Sequence, residues 1–179
     1  MSESIRLLAL KCPQCSTSIP AGLDEVAWTC ATCKTGLLLD EEKTLARLAF
    51  HYGEGIPAGQ PGRPFWVAQG KVTLNRESRN MFGKDDESFK YWAAGRRFFI
   101  PAYACDVDEL VNMAITFLND QPDLKPGPAV PFHPVTMLPG DMMPVAEYVV
   151  VGVEALRKDQ VKKVNFTLDL SEPELWILP

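Results

Sequence analysis

Apolar and polar positions alternate most regularly near the far end of the chain. There Val164, Phe166, Leu168 and Leu170 are separated by Asn165, Thr167 and Asp169. A period of two with β-branched and aromatic members predicts a strand with one face in the core. Phe65 to Leu74 is a second strand on the same grounds, with Gly70 read as a bulge. Arg97-Phe98-Phe99-Ile100 and the β-rich Tyr148 to Val153 add two more, with Arg157-Lys158-Asp159 as the turn leading into the alternating run. Leu175 to Leu178 predicts a last strand that becomes an exposed apolar edge if it finds no partner inside the fold. Leu45 to Tyr52 is too short for its period to choose between strand and a turn or two of helix.

Helical spacing appears once with clarity. Val107, Leu110, Val111, Ala114, Phe117 and Leu118 recur at steps of three and four, and Asp106 with Glu109 three positions on has the pattern of a capping box. A cap and a first-turn acid account for these two carboxylates without catalysis. Between the periodic segments lie two loops. Residues 53–64 hold Gly53, Gly55, Pro57, Gly59, Pro61, Gly62 and Pro64, and residues 120–139 are threaded with Pro122, Pro126, Pro128, Pro131, Pro134 and Pro139. Proline at that density excludes helix and predicts extended chain crossing the outside of the domain. Asp141 is placed to cap a short turn through Met142-Met143.

Before all of this stand Cys12-Pro13-Gln14-Cys15 and Cys30-Ala31-Thr32-Cys33, with fourteen residues between them. Each Cys-x-x-Cys turn puts two sulfurs on one side of a tight loop, and two such turns complete a tetrahedron around one metal. Ile5 to Leu10 runs into the first turn, Glu25 to Thr29 into the second, and Gly36 precedes Leu37-Leu38-Leu39. Strand, knuckle, hairpin, knuckle, strand resembles the zinc-ribbon family over residues 5–40. The glycine usual straight after the last cysteine comes three positions late. The resemblance implies a structural zinc held by Cys12, Cys15, Cys30 and Cys33, with no open coordination position and no catalysis of its own.

Other chemistry uses the same four thiols. Two disulfides need an oxidising compartment, yet Met1 to Leu10 has neither the apolar core nor the cleavage site of a signal peptide. An iron site or an iron–sulfur cluster takes the same ligands as zinc. A redox pair needs one Cys-x-x-Cys beside a βαβ pattern that is missing here. Cys105 reads as a small buried hydrophobe, and His51 and His133 have no ligand-spaced neighbours.

The chain as a whole suits one body with a small appendage: 179 residues, 46% hydrophobic and 23% charged. We expect an α+β fold in which a ribbon over 1–40 precedes a mainly antiparallel β domain over 41–179 with at least one packed helix. Asp40-Glu41-Glu42-Lys43 marks the join. No apolar run approaches the length that spans a bilayer, and the expected location is the cytoplasm.

Net charge is −5, unevenly spread. Residues 105–179 are strongly acidic, whereas 71–97 carry Lys71, Arg76, Arg79, Lys84, Lys90, Arg96 and Arg97 among Phe82, Phe89, Tyr91 and Trp92. Basic side chains interleaved with aromatics suit single-stranded nucleic acid, but a solvated hairpin with aromatic feet in the core is the preferred reading. No phosphate-binding glycine loop and no nucleophile elbow occurs. The sequence therefore points to a non-enzymatic interaction or accessory subunit with another protein as partner, a nucleic-acid binder being the alternative.

Overall fold

The strand expected at Phe65–Leu74 organises the larger of two sheets. The structure is a computed structural model that describes residues 9–40, 44–74, 85–156 and 165–179. In it β5 (Arg63–Leu74) runs between β6 (Arg96–Pro101) on one side and two strands in line on the other. Its first half pairs with β8 (Glu174–Leu178) and its second half with β7 (Phe166–Leu170), all antiparallel. Ser171 spans the gap, its N–H donating to the Gln69 carbonyl at 2.8 Å while its Oγ accepts from the Gln69 N–H at 3.0 Å. β4 (Phe50–Tyr52) closes the other side of β8 in parallel register. The last strand is thus flanked on both sides, and Leu175 and Ile177 are fully buried. The expected last strand finds its partners inside the fold, and no exposed apolar edge is left at Trp176.

Alternation along β5 sorts its side chains between two cores. Trp66, Ala68, Val72 and Leu74 face one, Phe65 and Val67 the other. Gly70 is not a bulge: it pairs with Arg96 on one side and Leu170 on the other, and a Cβ there would stand 2.4 Å from the Phe98 ring. The first face carries α1 (Asp85–Ala93) and α3 (Met142–Leu156), while α2 (Val107–Asn119) lies against β6. α2 follows the expected stripe from Leu110 onward, with Ala114 and Leu118 buried, whereas Val107 at its start is exposed. Asp106 sits extended at its start with no side-chain bond to the helix, so the capping box is not made.

Two segments differ from their sequence signals. Tyr148–Val153 is helix rather than strand: Met142, Ala146, Val149, Val150 and Val153 lie buried along one face of α3. Burial at three- and four-residue steps outweighs the β preference of a valine run. Tyr91 and Trp92 lie in the last turn of α1 and not in a hairpin, and Trp92 stacks on Phe98. Residues 75–84, with Arg76, Arg79, Phe82 and Lys84, lie outside the described residues, as do Ile5–Leu8, the join at 41–43 and the turn at Arg157–Asp159.

The smaller sheet orders β1 (Ala27–Thr29), β2 (Gly36–Asp40) and β3 (Thr44–Arg47) antiparallel. Leu45 to Tyr52 is therefore two strands in different sheets. The Pro-rich segment stitches the sheets together: Val135 bridges Ala27, Phe132 bridges Gly62, and Pro126 bridges Gly53. Gly127 is required there, because a Cβ would stand 2.4 Å from the Gly53 carbonyl oxygen. Trp66 Nε1 donates to the Met137 carbonyl at 2.8 Å and fixes the segment's far end. The chain is α+β, with its cysteine turns in the N-terminal region.

Candidate metal centre

The two Cys-x-x-Cys turns are copies of one another. The Ser16 N–H donates to the Cys12 carbonyl at 2.8 Å, and the Lys34 N–H to the Cys30 carbonyl at 2.9 Å. The Cys12 and Cys30 N–H groups in turn donate to the Thr17 and Thr35 carbonyls, both at 2.9 Å. Each turn closes through a left-handed residue, Ser16 and Lys34, both with φ of 61°. Glycine is favoured at that position, which accounts for its usual place straight after the last cysteine. Lys34 occupies the conformation here and its Nζ donates to the Ala31 carbonyl at 2.8 Å. Gly36 answers a different demand, since a Cβ there would stand 2.2 Å from the Leu48 carbonyl oxygen.

Facing each other, the turns bring all four sulfurs within 4.8 Å. Cys12 Sγ lies 3.5 Å from Cys33 Sγ, and Cys15 Sγ 3.6 Å from Cys30 Sγ. A disulfide needs about 2.05 Å, and all four cysteines are free. Four thiolates at about 2.3 Å from one ion define a tetrahedron with edges of about 3.8 Å. The observed pairs lie close to such edges. Ile19, Trp28, Leu37 and Leu45 close the inner side, where Cys12 and Cys30 are buried, while Cys15 and Cys33 are half-exposed.

The two sides prepare the thiols differently. The Thr35 hydroxyl, 3.2 Å from Cys33 Sγ, together with the Thr35 N–H, lowers that thiol to about 6. The Thr17 hydroxyl, also at 3.2 Å, lowers Cys15 by the same means. Burial pushes Cys12 up to about 11. A hydroxyl beside sulfur favours the thiolate, whereas loss of water disfavours it. This threonine pair escaped the sequence reading, although its signal is there: both turns read Cys-x-x-Cys-x-Thr.

Cys105 stands apart from the cluster, half-buried, its thiol pushed up by burial and then by Glu109 and Asp106. His51 stacks on Trp176 with centroids 4.9 Å apart, and His133 lies 5.9 Å from the Tyr103 ring. In the described part of the basic-aromatic segment, Trp92 and Arg96 are already engaged by the fold. Trp92 is buried, and Arg96 lies 3.5 Å over the Tyr91 ring while donating to the Tyr91 and Leu118 carbonyls. A second polar group was not foreseen at all. Glu154 is 2% exposed inside the helical layer, accepting from Ser88 Oγ at 2.6 Å and Trp92 Nε1 at 2.8 Å. No spacing rule marks it, since α1 and α3 meet only in the fold.

Fold and site together define an α+β protein with a four-cysteine cluster at metal-binding distance. No protein family, curated protein or solved structure matches the chain. Among the described residues no helix is long and apolar enough to cross a membrane.

Proposed function

We propose that Cys12, Cys15, Cys30 and Cys33 hold one structural zinc ion in a zinc-ribbon module, and that the protein is a non-enzymatic interaction or accessory subunit of a protein complex. The separation of the sulfurs carries the metal reading, because it matches neither a disulfide nor unrelated thiols. Four thiolates complete the coordination of zinc, so the ion supplies folding energy to the small sheet. The Thr17 and Thr35 hydroxyls beside two sulfurs support ligands held as thiolates. We draw the module as residues 1–40 and the body as 41–179, with β3 contributing the third strand. Free thiols fit the reducing cytoplasm.

The partner reading rests on apolar side chains that the fold leaves uncovered. Leu23 is fully exposed in the loop before β1, and Tyr148 and Val151 stand out from α3. Nucleic acid as partner is less well supported, because Trp92 and Arg96 are committed inside the fold.

Affinity purification of the tagged full chain, with and without nuclease and at two salt concentrations, tests this reading when combined with metal analysis. One zinc per chain and protein partners that resist both treatments are expected. Iron in place of zinc overturns the metal assignment. Recovery that collapses with nuclease and salt overturns the partner class.

A further inference from the structure

A cleft of about 400 Å³ opens where the small sheet meets the body. Three separate stretches wall it: Leu23, Asp24 and Glu25 before β1, Tyr103 after β6, and His133 and Thr136 from the Pro-rich segment. The walls are fixed to one another, since the Val26 N–H donates to the Val135 carbonyl at 2.8 Å and Ala27 bridges Val135. This is a preformed pocket of ligand-binding size.

Its lining is acidic and aromatic, with no lysine or arginine. Asp24 is exposed. Glu25 accepts from the Gly22 N–H at 2.7 Å and Trp28 Nε1 at 2.9 Å, both on Oε2. Tyr103 and His133 form one wall, their rings inclined at 32°. Negative charge extends beyond the lining, for Glu109 acts on Tyr103 through space and Asp106 on the adjoining Cys105. Arg63 acts on Tyr103 more strongly than Glu109 does, through space and by a side-chain hydrogen bond, and its Nε also donates to the Pro179 carbonyl at 2.8 Å, so the carboxylates that a bound cation meets are Asp24 and Glu25. Two carboxylates beside an aromatic wall select a planar cation that stacks and donates at once, the properties of a guanidinium. Fully exposed Leu23 stands at the rim. A free small cation would leave that side chain in water; a peptide chain would cover it.

We propose that this cleft is a docking site for an arginine side chain carried on an extended segment of a partner protein. The inference rests on the interaction-subunit reading and specifies its surface. The guanidinium lies against Tyr103 and His133 and donates to Asp24 and Glu25, while an apolar neighbour in the same segment covers Leu23.

The test titrates zinc-loaded, isotopically labelled full-length protein with a blocked Leu-Arg-Leu peptide, its citrulline counterpart and arginine amide, following amide resonances. The arginine peptide is expected to shift residues 22–25, 103–104 and 133–136 and to bind about tenfold more tightly than the neutral citrulline peptide. Asp24→Asn should weaken it about tenfold, and Leu23→Ser should weaken the peptide but not arginine amide. Equal binding of charged and neutral peptides, shifts elsewhere, or an unchanged Asp24→Asn overturns the site. Arginine amide matching the peptide, with Leu23→Ser silent, overturns the protein partner in favour of a small cation. Partner recovery from cells separates the two levels: wild type without resistant protein partners defeats the subunit reading, whereas full recovery by Asp24→Asn defeats only the cleft.

Discussion

The two sheets of this protein hold themselves together by different means. The small one encloses six buried residues, two of them cysteines, which is too little apolar surface for three short strands to persist without a cross-link. The core between the large sheet and its helices holds nineteen buried residues among those described, Ala27 of the small sheet included, and needs no such help. Yet they are not independent. Ala27 belongs to the large core and Trp28, its neighbour on β1, to the small one, so a single strand serves both. On the proposed metal reading, size decides which half relies on the ion, and the shared strand decides how far its loss is felt.

The sharpest way to break the comparison is to remove one ligand. Cys33→Ser should release the metal and cost the small sheet most of the roughly 10 kcal/mol that structural zinc supplies. Amide exchange should then show protection lost over residues 10–47 and kept in β5 and β6, with some weakening beside Ala27. A variant that retains full metal content would refute the ligand set.

The reverse experiment strikes the large half alone. Glu154→Ala removes the buried carboxylate that accepts from Ser88 Oγ and Trp92 Nε1, and should destabilise the body by about 3 kcal/mol in denaturant titrations. Metal content should not change. Zinc lost in step with the body would mean that the seam through Ala27 makes one cooperative unit of both sheets.

Proton competition probes the small half more gently. Metal binds thiolates, and in the metal-free site Cys12 keeps its proton up to about pH 11 while Cys33 loses its own above about 6. From Cys12, affinity should rise about tenfold per pH unit up to that limit. Below about 6 the fall should steepen by a further factor of about ten per unit as Cys33 takes a proton. Competition with a chelator across this range reads both slopes. Thr35→Val should move the lower break upward, since the hydroxyl that favours the Cys33 thiolate is gone.

Ser16→Gly should have the smallest effect. It relieves a left-handed backbone at the first turn, and the gain, up to about 1 kcal/mol, is offset in part by the looser unfolded chain. Slower metal loss to a chelator is the readout. The same change at Lys34 also removes the bond from Nζ to the Ala31 carbonyl, and should gain less.

What the sequence disclosed followed the range of the interactions. The cysteine turns were legible because each is closed by hydrogen bonds within six residues, and α2 because its stripe repeats within thirteen. α3 misled, for three consecutive valines speak for strand locally, while burial at Met142, Ala146, Val149 and Val153 is fixed by a sheet far away in the chain. The parallel pairing of β4 with β8, the end-to-end placement of β7 and β8, and the meeting of Ser88, Trp92 and Glu154 are all products of distant contacts. No local pattern records them.

That difference in range also sets an order in time. All four sulfurs are contained between residues 12 and 33, so the small sheet has its complete ligand set almost as soon as this stretch leaves the ribosome. The large sheet must wait for residues 174–178, which lie between β4 and β5. If the turns take up a metal as proposed, they are the first part able to take a lasting shape during synthesis, and β1 is already in place when the rest of the chain arrives to fold against it.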